Sequence, residues 1–311
     1  MDDELNITYF TFHGHVDLNK YRFLYFFIMF TVYVLILFFN VSIVSVIWIH
    51  KNLHEPMYIF ISALLVNALV YSTNIYPKLL IDFLSEKQII SYSACLFQFF
   101  VFCMLSGSEF LLLAAMSYDR YVSICKPLEY PTIMRKTRVS IFLVLAWSVP
   151  ACHVALTVIL TVKTKMCTST IKGIFCNNAI YGLHCAQSKV LSIYGVVALL
   201  NLAVLPVIFI VFTYTKILVI VYRSSREVRK KAAETCLPHL IVLISSSCFS
   251  VYDISIARVD SNLSMTARLI MTLQKVMYHP LFNPLIYGLK MKEISEHLKK
   301  LFSSIRISHL R

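Results

Sequence analysis

The stretch that decides the fold occupies residues 96–130 and reads LFQFFVFCMLSGSEFLLLAAM, followed directly by SYDRYVSICKPLEY. The first part contains one charged residue, Glu109. It is about 20 residues long, the length that an α-helix needs to cross the hydrocarbon core of a bilayer. The second part soon reaches the charged pair Asp119 and Arg120. Because a charged pair is costly inside hydrocarbon and cheap at its boundary, the stretch predicts a membrane helix that ends at a polar face.

The composition of the whole chain also indicates a membrane protein. Hydrophobic residues make up 58% of the 311 residues and charged residues only 14%, whereas soluble domains carry about a quarter charged residues. The first residues, MDDELNITYF, lack the basic start and apolar core of a signal peptide, so we expect the first apolar segment to act as the targeting signal. Seven segments predict transmembrane helices: residues 23–49, 57–83, 95–117, 139–162, 191–222, 233–256 and 269–289.

The distribution of basic residues predicts the orientation of the chain. The net charge is +13, and in a membrane protein such an excess reports orientation rather than nucleic-acid binding, because Lys and Arg collect in cytoplasmic loops. More than half of the 29 Lys and Arg residues lie in residues 119–138, in residues 223–231 and from Lys290 onward. We therefore expect a multi-pass plasma-membrane protein with an extracellular amino terminus and a cytoplasmic carboxyl terminus.

Two independent features agree with this orientation. Asn6 begins the glycosylation sequon Asn-Ile-Thr on the predicted outer side. Four cysteines lie at the same face, where an oxidising compartment allows disulfides to form. The residues alone leave their pairing open. These cysteines are Cys95, Cys167, Cys176 and Cys185.

The segments predict an all-α membrane protein, a seven-transmembrane helix bundle with a short amphipathic eighth helix. Residues 1–22 would form the extracellular amino terminus, and residues 23–290 the seven-transmembrane domain. Residues 291–311 would form the cytoplasmic tail. The tail sequence KMKEISEHLKKLF, which begins at Lys290, predicts an amphipathic helix that lies along the lipid surface.

Several motifs resemble those of odorant receptors, a branch of the rhodopsin-like G-protein-coupled receptors. MSYDRYVSICKPLEY (116–130) and KAAETCLPHLIVL (231–243) carry most of the specificity. LHEPMYIFISALL (53–65) and PLFNPLIY (280–287) match as well, and the resemblance covers nearly the whole chain. The variants VNALVYST and YPKLLIDFLS look most like those of fish members. Single matching positions are Asn40, Trp147, Pro206 and Tyr214.

This resemblance implies a receptor that binds a small-molecule odorant in an outer cavity and activates a heterotrimeric G protein of the olfactory Gs type, which raises cAMP. Asp119 would hold Arg120 at rest and release it toward the G protein on activation. The family joins the middle loop cysteine to the third helix, which implies the disulfides Cys95–Cys176 and Cys167–Cys185. The other residues implied for switching or G-protein contact are Tyr121, Tyr214, His239, Asn283 and Tyr287.

The resemblance also implies which residues line the odorant cavity. They lie on the third, fifth and sixth segments: Phe102, Cys103, Ser106, Ala198, Leu199, Leu202, Ser247, Ser250, Val251 and Ile254. Arg258, one helical turn beyond Ile254, has two interpretations. In the first, it snorkels to the outer headgroups, as charged residues near helix ends usually do, or pairs with Asp253 or Asp260. In the second, it binds a small anionic odorant such as a carboxylate.

Glu109 lies in the middle of a membrane segment, where an ionised carboxylate is costly and a functional role is the usual interpretation. It is a candidate sodium ligand, although Ala68 stands where the family commonly has the aspartate of that site. The alternative is a protonated side chain that is hydrogen-bonded to a neighbouring helix. In the sixth segment Ser246, Ser247 and Cys248 replace the usual Phe-Tyr-Gly, so the aromatic toggle residue is missing.

Other classes of function find less support in the sequence. It contains no phosphate loop, metal-ligand pair or nucleophile motif of an enzyme, and we expect no cofactor, no metal beyond the sodium hypothesis and no nucleic-acid partner. A transporter would show inverted repeats and paired broken helices, and we see no internal repeat. A rhodopsin-like receptor for a non-odorant small ligand remains the main alternative. The expected partners are an odorant, a G protein and membrane lipids.

Overall fold

A computed structural model describes residues 8–185, 188–258, 264–291 and 293–298. Within the last two long helices it leaves some side chains undescribed, those of residues 252–258 among them. Asn6 and most of the predicted cytoplasmic tail therefore lie outside the described residues, as do the side chains of Ile254 and Arg258.

The chain is mostly helical, and each predicted membrane segment falls inside a helix or a pair of continuous helices. The helices are α1 (Leu18–Ile49), α2 (Pro56–Leu84), α3 (Tyr92–Cys125), α4 (Tyr130–Ile133), α5 (Lys136–Val162), α6 (Lys189–Leu199), α7 (Leu205–Tyr222), α8 (Arg226–Arg258) and α9 (Met265–Lys290). A 3-10 turn (Lys51–Leu53) follows α1, a second (Asn178–Leu183) precedes α6, and a π-helical turn (Leu200–Val204) joins α6 to α7.

Five helical units among the described residues are long and apolar enough to cross a membrane: α1, α2, α3, α5 and the continuous unit from Lys189 to Tyr222. They establish a multi-pass membrane protein. Helix α8 begins with the charged sequence REVRKK, and Cys236–Cys248 is an apolar segment among its described residues. The two prolines inside α9, Pro280 and Pro284, do not end that helix.

Helix α3 lies at the centre of the bundle and packs against α2, α5, α7 and α8, while α1 packs against α2 and α9. It is also longer at its inner end than the apolar pattern predicts, since it continues to Cys125. Asp119 and Arg120 are therefore inside the helix, and they are 0% and 8% exposed. We expected this pair to reach water or headgroups. The structure buries it instead, because the two side chains and Tyr130 satisfy one another.

A small sheet covers one end of the bundle. Strand β1 (Tyr9–Phe12) lies between β2 (Ile89–Ser91), to which it is antiparallel, and β3 (Thr170–Ile171), to which it is parallel. Both disulfides are present here: Cys95–Cys176 joins the start of α3 to the loop after α5, and Cys167–Cys185 closes that loop on itself. We call the sheet and this loop the lid. The lid has its own apolar core, formed by Phe10, Phe12, Ile90, Phe99, Ile171, Ile180 and Leu183.

Two glycines meet where the chain leaves β1, and they support a prediction about the lid. The amide of Gly14 donates to the carbonyl of Gly173 at 3.1 Å, and a Cβ on Gly14 would lie 2.5 Å from the Gly173 carbonyl carbon. Because backbone cannot yield as a flexible side chain does, we expect Gly14→Ala to lower the free energy of unfolding by about 1–3 kcal/mol, the usual range for overpacking. Thermal unfolding of the purified protein would measure this loss.

The partner glycine is the matched control for that measurement. A Cβ on Gly173 would meet its nearest neighbour, the Phe175 carbonyl oxygen, at an ordinary 3.5 Å. Gly173→Ala should therefore leave the unfolding temperature close to that of the parent protein. Equal effects of the two substitutions would show that the close approach of the two backbones does not hold the lid in place.

Candidate ligand cavity and inner switch

A cavity of about 290 Å³ lies beneath the lid, enclosed by α3, α5, the α6–α7 unit, α8 and α9. This volume is close to the lower limit of about 300–1,000 Å³ for small-molecule sites. Small residues on facing helices, Gly107 and Gly195 among them, leave the space open. Its walls are mainly aromatic and aliphatic: Phe99, Phe102, Phe110, Val154, Leu191, Leu199 and Leu202.

The lid forms the roof of this cavity. Asn178, Tyr181 and Gly182 of the second 3-10 turn line it, together with His184. Phe99 belongs both to the cavity wall and to the apolar core of the lid, and its ring meets the ring of Tyr181 edge to face at 5.9 Å. Burial lowers the pKa of His184 below its ordinary value, so its imidazole is neutral at physiological pH. The roof therefore presents uncharged polar groups to a ligand.

The floor of the cavity contains a buried cation, Lys275 of α9, whose exposed fraction is 7%. Its ammonium lies 4.6 Å from the ring centroid of Phe102, a cation–π contact. Lys275, Ser106 and Ser250 also line a small cleft directly below, which continues toward Glu109. These three residues therefore mark the junction between the cavity and the polar centre of the bundle.

A polar cluster occupies the cleft below the floor. Glu109 Oε1 accepts a hydrogen bond from the Ser246 hydroxyl at 2.9 Å and lies 3.1 Å from His279 Nδ1. Ser246 and His279 also approach each other at 3.3 Å, and Asn283 lines the same cleft as Glu109. The cluster connects α3, α8 and α9. A sodium ion would compete with the His279 ring for the same carboxylate oxygen, so Glu109 is better suited to this interhelical pair than to a metal site.

The carboxyl-terminal end of α3, which the sequence predicts to face the cytoplasm, holds a second polar network. Arg120 Nε donates to Asp119 Oδ2 at 3.0 Å, and Arg120 Nη2 donates to the same oxygen. The Tyr130 hydroxyl of α4 donates to the other oxygen, Oδ1, at 2.8 Å. Burial and the neighbouring Asp119 carboxylate raise the pKa of Tyr130 above its ordinary value, so this hydroxyl keeps its proton. Both carboxylate oxygens of Asp119 are thus engaged within the protein.

Three buried aromatic side chains lie near this network. The hydroxyls of Tyr214 and Tyr287 and both ring nitrogens of His239 have no hydrogen-bond partner in the structure. The rings of His239 and Tyr287 are 5.6 Å apart. Buried polar atoms without partners are rare in folded proteins, and each one marks strain, a bound water or a functional role.

Comparison with known protein families identifies the architecture that carries these two sites. The family model described as olfactory receptor matches residues 29–305, most of the chain. The chain belongs to the olfactory receptor family. Three human proteins illustrate the likeness at full length. Olfactory receptor 11A1 is 32% identical over 95% of this chain and 94% of its own length. Olfactory receptor 10J5 is 32% identical over 94% of each chain, and olfactory receptor 13C2 is 33% identical over 93% of this chain and 92% of its own.

Within this olfactory receptor, the cavity brings together most of the residues that the sequence places there. Those that line it are Phe102, Cys103 and Ser106 of α3, Ala198, Leu199 and Leu202 of the α6–α7 unit, and Ser250 of α8. Ser247 and Val251 are not among the described residues of the lining, and Val251 is 64% exposed. Ser246 and Ser250, four residues apart, share the inward face of α8. Ser247 and Val251 each follow one of them, and successive residues of a helix are about 100° apart around its axis, so both lie away from that face.

Lys275 and the roof residues are among the lining residues that are absent from the sequence-based prediction. Lys275 was visible as a charge within an apolar segment, which alone is a signal of function in a membrane helix. The roof residues Asn178, Tyr181 and His184 have no such signal, because the path of a loop that closes over a bundle depends on long-range contacts.

The residues predicted to take part in switching also divide into two groups. Tyr121 is partly buried and packs against the inner apolar core of the bundle. Asn283, predicted to take part in switching, lines the central cleft together with Glu109. The two networks are therefore separate in the structure and are joined by α3, which carries Glu109 and Asp119.

Proposed function

We propose that this olfactory receptor binds a small odorant in the cavity beneath the lid and activates a heterotrimeric G protein of the olfactory Gs type, which raises cAMP. The observation that carries the proposal is the arrangement along α3. Phe102 and Ser106 line the cavity, Glu109 lies in the central cluster, and Asp119 and Arg120 lie at the opposite end. One rigid helix thus connects a ligand site to a charged inner site. Membership of the olfactory receptor family further supports it, and the proteins of this family are receptors, not enzymes.

The proposal includes seven membrane spans, with α8 and α9 as the sixth and seventh. Residues 1–22 would be extracellular, residues 23–290 would form the receptor domain and residues 291–311 the cytoplasmic tail. The described start of the tail supports an eighth helix, since residues 293–298 are helical and Ile294 is buried. The Tyr58 hydroxyl of α2 donates to Glu293 at 3.0 Å, and Asn52 approaches His297 at 3.2 Å. These contacts would hold the tail helix at the lipid surface.

The orientation is tested by two labels. We expect a glycosidase-sensitive shift in electrophoretic mobility that Asn6→Gln removes, because the sequon would face the lumen during synthesis. A carboxyl-terminal epitope should be stained only after permeabilisation. Staining of that epitope on intact cells would contradict the proposed orientation.

The function is tested by expressing the receptor with the olfactory G protein and recording cAMP. The panel should contain water-soluble odorants, both neutral and acidic. We expect at least one to raise cAMP in proportion to its dose. Phe110→Trp, which would fill part of the cavity with a larger ring, should weaken that response at matched surface expression. A response that is insensitive to such filling would place the ligand elsewhere.

The proposal also includes an anionic odorant, whose negative charge Arg258 would bind. Its side chain lies outside the described residues. If Arg258 binds the anion, Arg258→Gln should shift the dose–response of an acidic odorant strongly and that of its neutral analogue little; equal shifts of both would contradict this role.

A further inference from the structure

His15 lies where the amino-terminal part of the lid meets α2. Its ring meets the Phe83 ring edge to face at 5.8 Å, and Phe83 in turn stacks on Tyr25 of α1 at 5.6 Å. The His15 side chain is half-buried, yet both ring nitrogens are shielded from water and neither has a hydrogen-bond partner among the described residues. Because a shielded polar atom without a partner is costly, this imidazole is held by its ring contacts rather than by hydrogen bonds.

The charge that acts on this imidazole is a cation, Lys78 of α2. Lys78 pairs with Asp82 one turn further along the helix, and its ammonium lies 5.7 Å from the ring centroid of Phe12 in β1. Burial and the Lys78 ammonium lower the pKa of His15 from 6.5 to about 4, so the ring is neutral at physiological pH. A proton on His15 would add a second cation near Lys78 at a site where no described group accepts from the ring.

The remaining charged groups near His15 offer it little compensation. Asp82 is 1% exposed and is already engaged by Lys78. The other titratable side chains that line the same outer groove are exposed to solvent, where water and salt screen their charges. They are His13, Asp17, Lys20, Glu86 and Lys87.

The backbone can bend directly after His15. Asp17 has a φ of 46°, in the left-handed region that residues other than glycine rarely adopt. Tyr21, with φ −117° and ψ 15°, interrupts the regular helix inside α1. Residues 18–20 thus form a single turn between these two irregular positions. Rotation there would move the amino-terminal strand without disturbing the rest of α1.

We propose that His15 makes the lid pH-sensitive: its neutral ring holds β1 against α2, whereas its protonated ring leaves this site and releases β1. The lid would then lose Phe10 and Phe12 from its apolar core. The disulfides Cys95–Cys176 and Cys167–Cys185 would keep the loop after α5 in place. Acid would therefore loosen one part of the lid without unfolding the receptor. This regulation goes beyond the proposed function and does not depend on it.

The pH range follows from the linkage between protonation and release. Since the pKa of His15 is lower in the closed lid than in water, its contribution to closure is complete above pH 6.5 and is lost as the pH falls toward about 4. Between pH 7.5 and pH 5, this difference shifts the equilibrium toward the released strand by about 30-fold.

Hydrogen exchange of the purified full-length receptor at these two pH values tests the proposal. Protection factors correct for the pH dependence of intrinsic exchange and report local opening. The amides of Phe12, His13 and Gly14 donate to carbonyls across the sheet and its extension, and their protection should fall by about 30-fold in acid. The Cys167 amide donates to Leu183 inside the disulfide-closed loop and should keep its protection. Unchanged protection of β1, or an equal fall at Cys167, would overturn the proposal.

Two variants assign the effect to His15. His15→Phe keeps an aromatic ring against Phe83 but cannot bind a proton, so β1 should keep its protection at pH 5. His13→Phe makes the same change at an exposed position two residues away and should retain the fall seen in the parent receptor. If the fall persists in His15→Phe, another group causes it and the assignment is wrong. A rise in protection of the parent in acid would mean that the protonated ring pairs with Asp82 instead of leaving, which also contradicts the proposal.

The measurement is separate from the test of the proposed function. Neither an odorant nor a G protein takes part in it, so a receptor that raises no cAMP can still show the acid-dependent release of β1. Conversely, a lid that does not respond to acid would refute this inference and leave the proposed odorant response untouched.

Discussion

Arg120→Ala is expected to abolish the cAMP response to every agonist while leaving ligand binding intact. Arg120 lies near the inner end of α3, far along the helix from the cavity, and its guanidinium is held by Asp119 alone among the described contacts. A charged pair that is buried at rest can be released to a new partner only if the cation is present. Without Arg120, the proposed contact with the G protein has no cation to make it. Dose–response curves at matched surface expression measure the effect.

Two companion variants make the Arg120 result interpretable. Tyr130→Phe removes the hydroxyl that donates to Asp119 at 2.8 Å, so it should loosen the resting pair and raise the ligand-free cAMP level. Lys126→Ala removes a nearby cation that pairs with Glu129 on the exposed surface, where such pairs contribute only about 0–1 kcal/mol. It should behave as the parent receptor. A full response in Arg120→Ala would remove the charged pair from the switch.

His279→Leu is expected to prevent the receptor from reaching the cell surface. The substitution leaves the Glu109 carboxylate in the centre of the bundle without the His279 ring, whose Nδ1 lies 3.1 Å from Oε1. Removing one member of a buried pair typically costs about 3–5 kcal/mol. That is a large part of the about 5–15 kcal/mol by which folded proteins are stable. Surface staining and thermal unfolding of the purified receptor would both report the loss.

A double-mutant cycle attributes this effect to the pair. Glu109→Gln removes the charge but keeps an oxygen that accepts from Ser246, so its effect alone should be mild. In the background of Glu109→Gln, the change His279→Leu should cost far less than in the parent receptor, because no unpaired charge remains. Equal costs in both backgrounds would mean that His279 acts through packing and that Glu109 does not depend on it.

The sequence predicts the parts of this fold that depend on local pattern. Apolar segments of membrane length locate the helices, and motifs around Asp119 locate the inner end of α3. The pattern fails where side chains satisfy one another inside the protein. Apolarity ends near Ser117, yet α3 continues because Asp119, Arg120 and Tyr130 form a closed network. Hydropathy cannot anticipate such compensation.

The candidate site likewise contains residues that local sequence pattern predicts and residues that only the packing of the helices reveals. The motif predicts which residues of α3 face the cavity. In α8 the inward-facing residues are shifted by one position from the predicted ones. The serines of residues 245–247 offer no apolar contrast, so the sequence does not indicate which of them faces inward. Lys275 is visible in the sequence, but only the packing of α9 against α3 shows that its ammonium meets Phe102. The lid could not be predicted, since β1 alternates only over Tyr9–Phe12 and its partners lie far away in the chain.

The order of the strands in the lid has a consequence for how the receptor is made. Strand β1 is synthesised first, but its parallel partner β3 follows about 160 residues later. At ribosomal rates of about 5–20 residues per second, this interval is about 10–30 s. In the proposed orientation, the edge of β1 that later meets β3 is unpaired in the lumen during that time, and open strand edges invite pairing with other chains. Delivery of this receptor to the cell surface should therefore depend on how well the nascent amino terminus is protected while the rest of the chain is still being inserted.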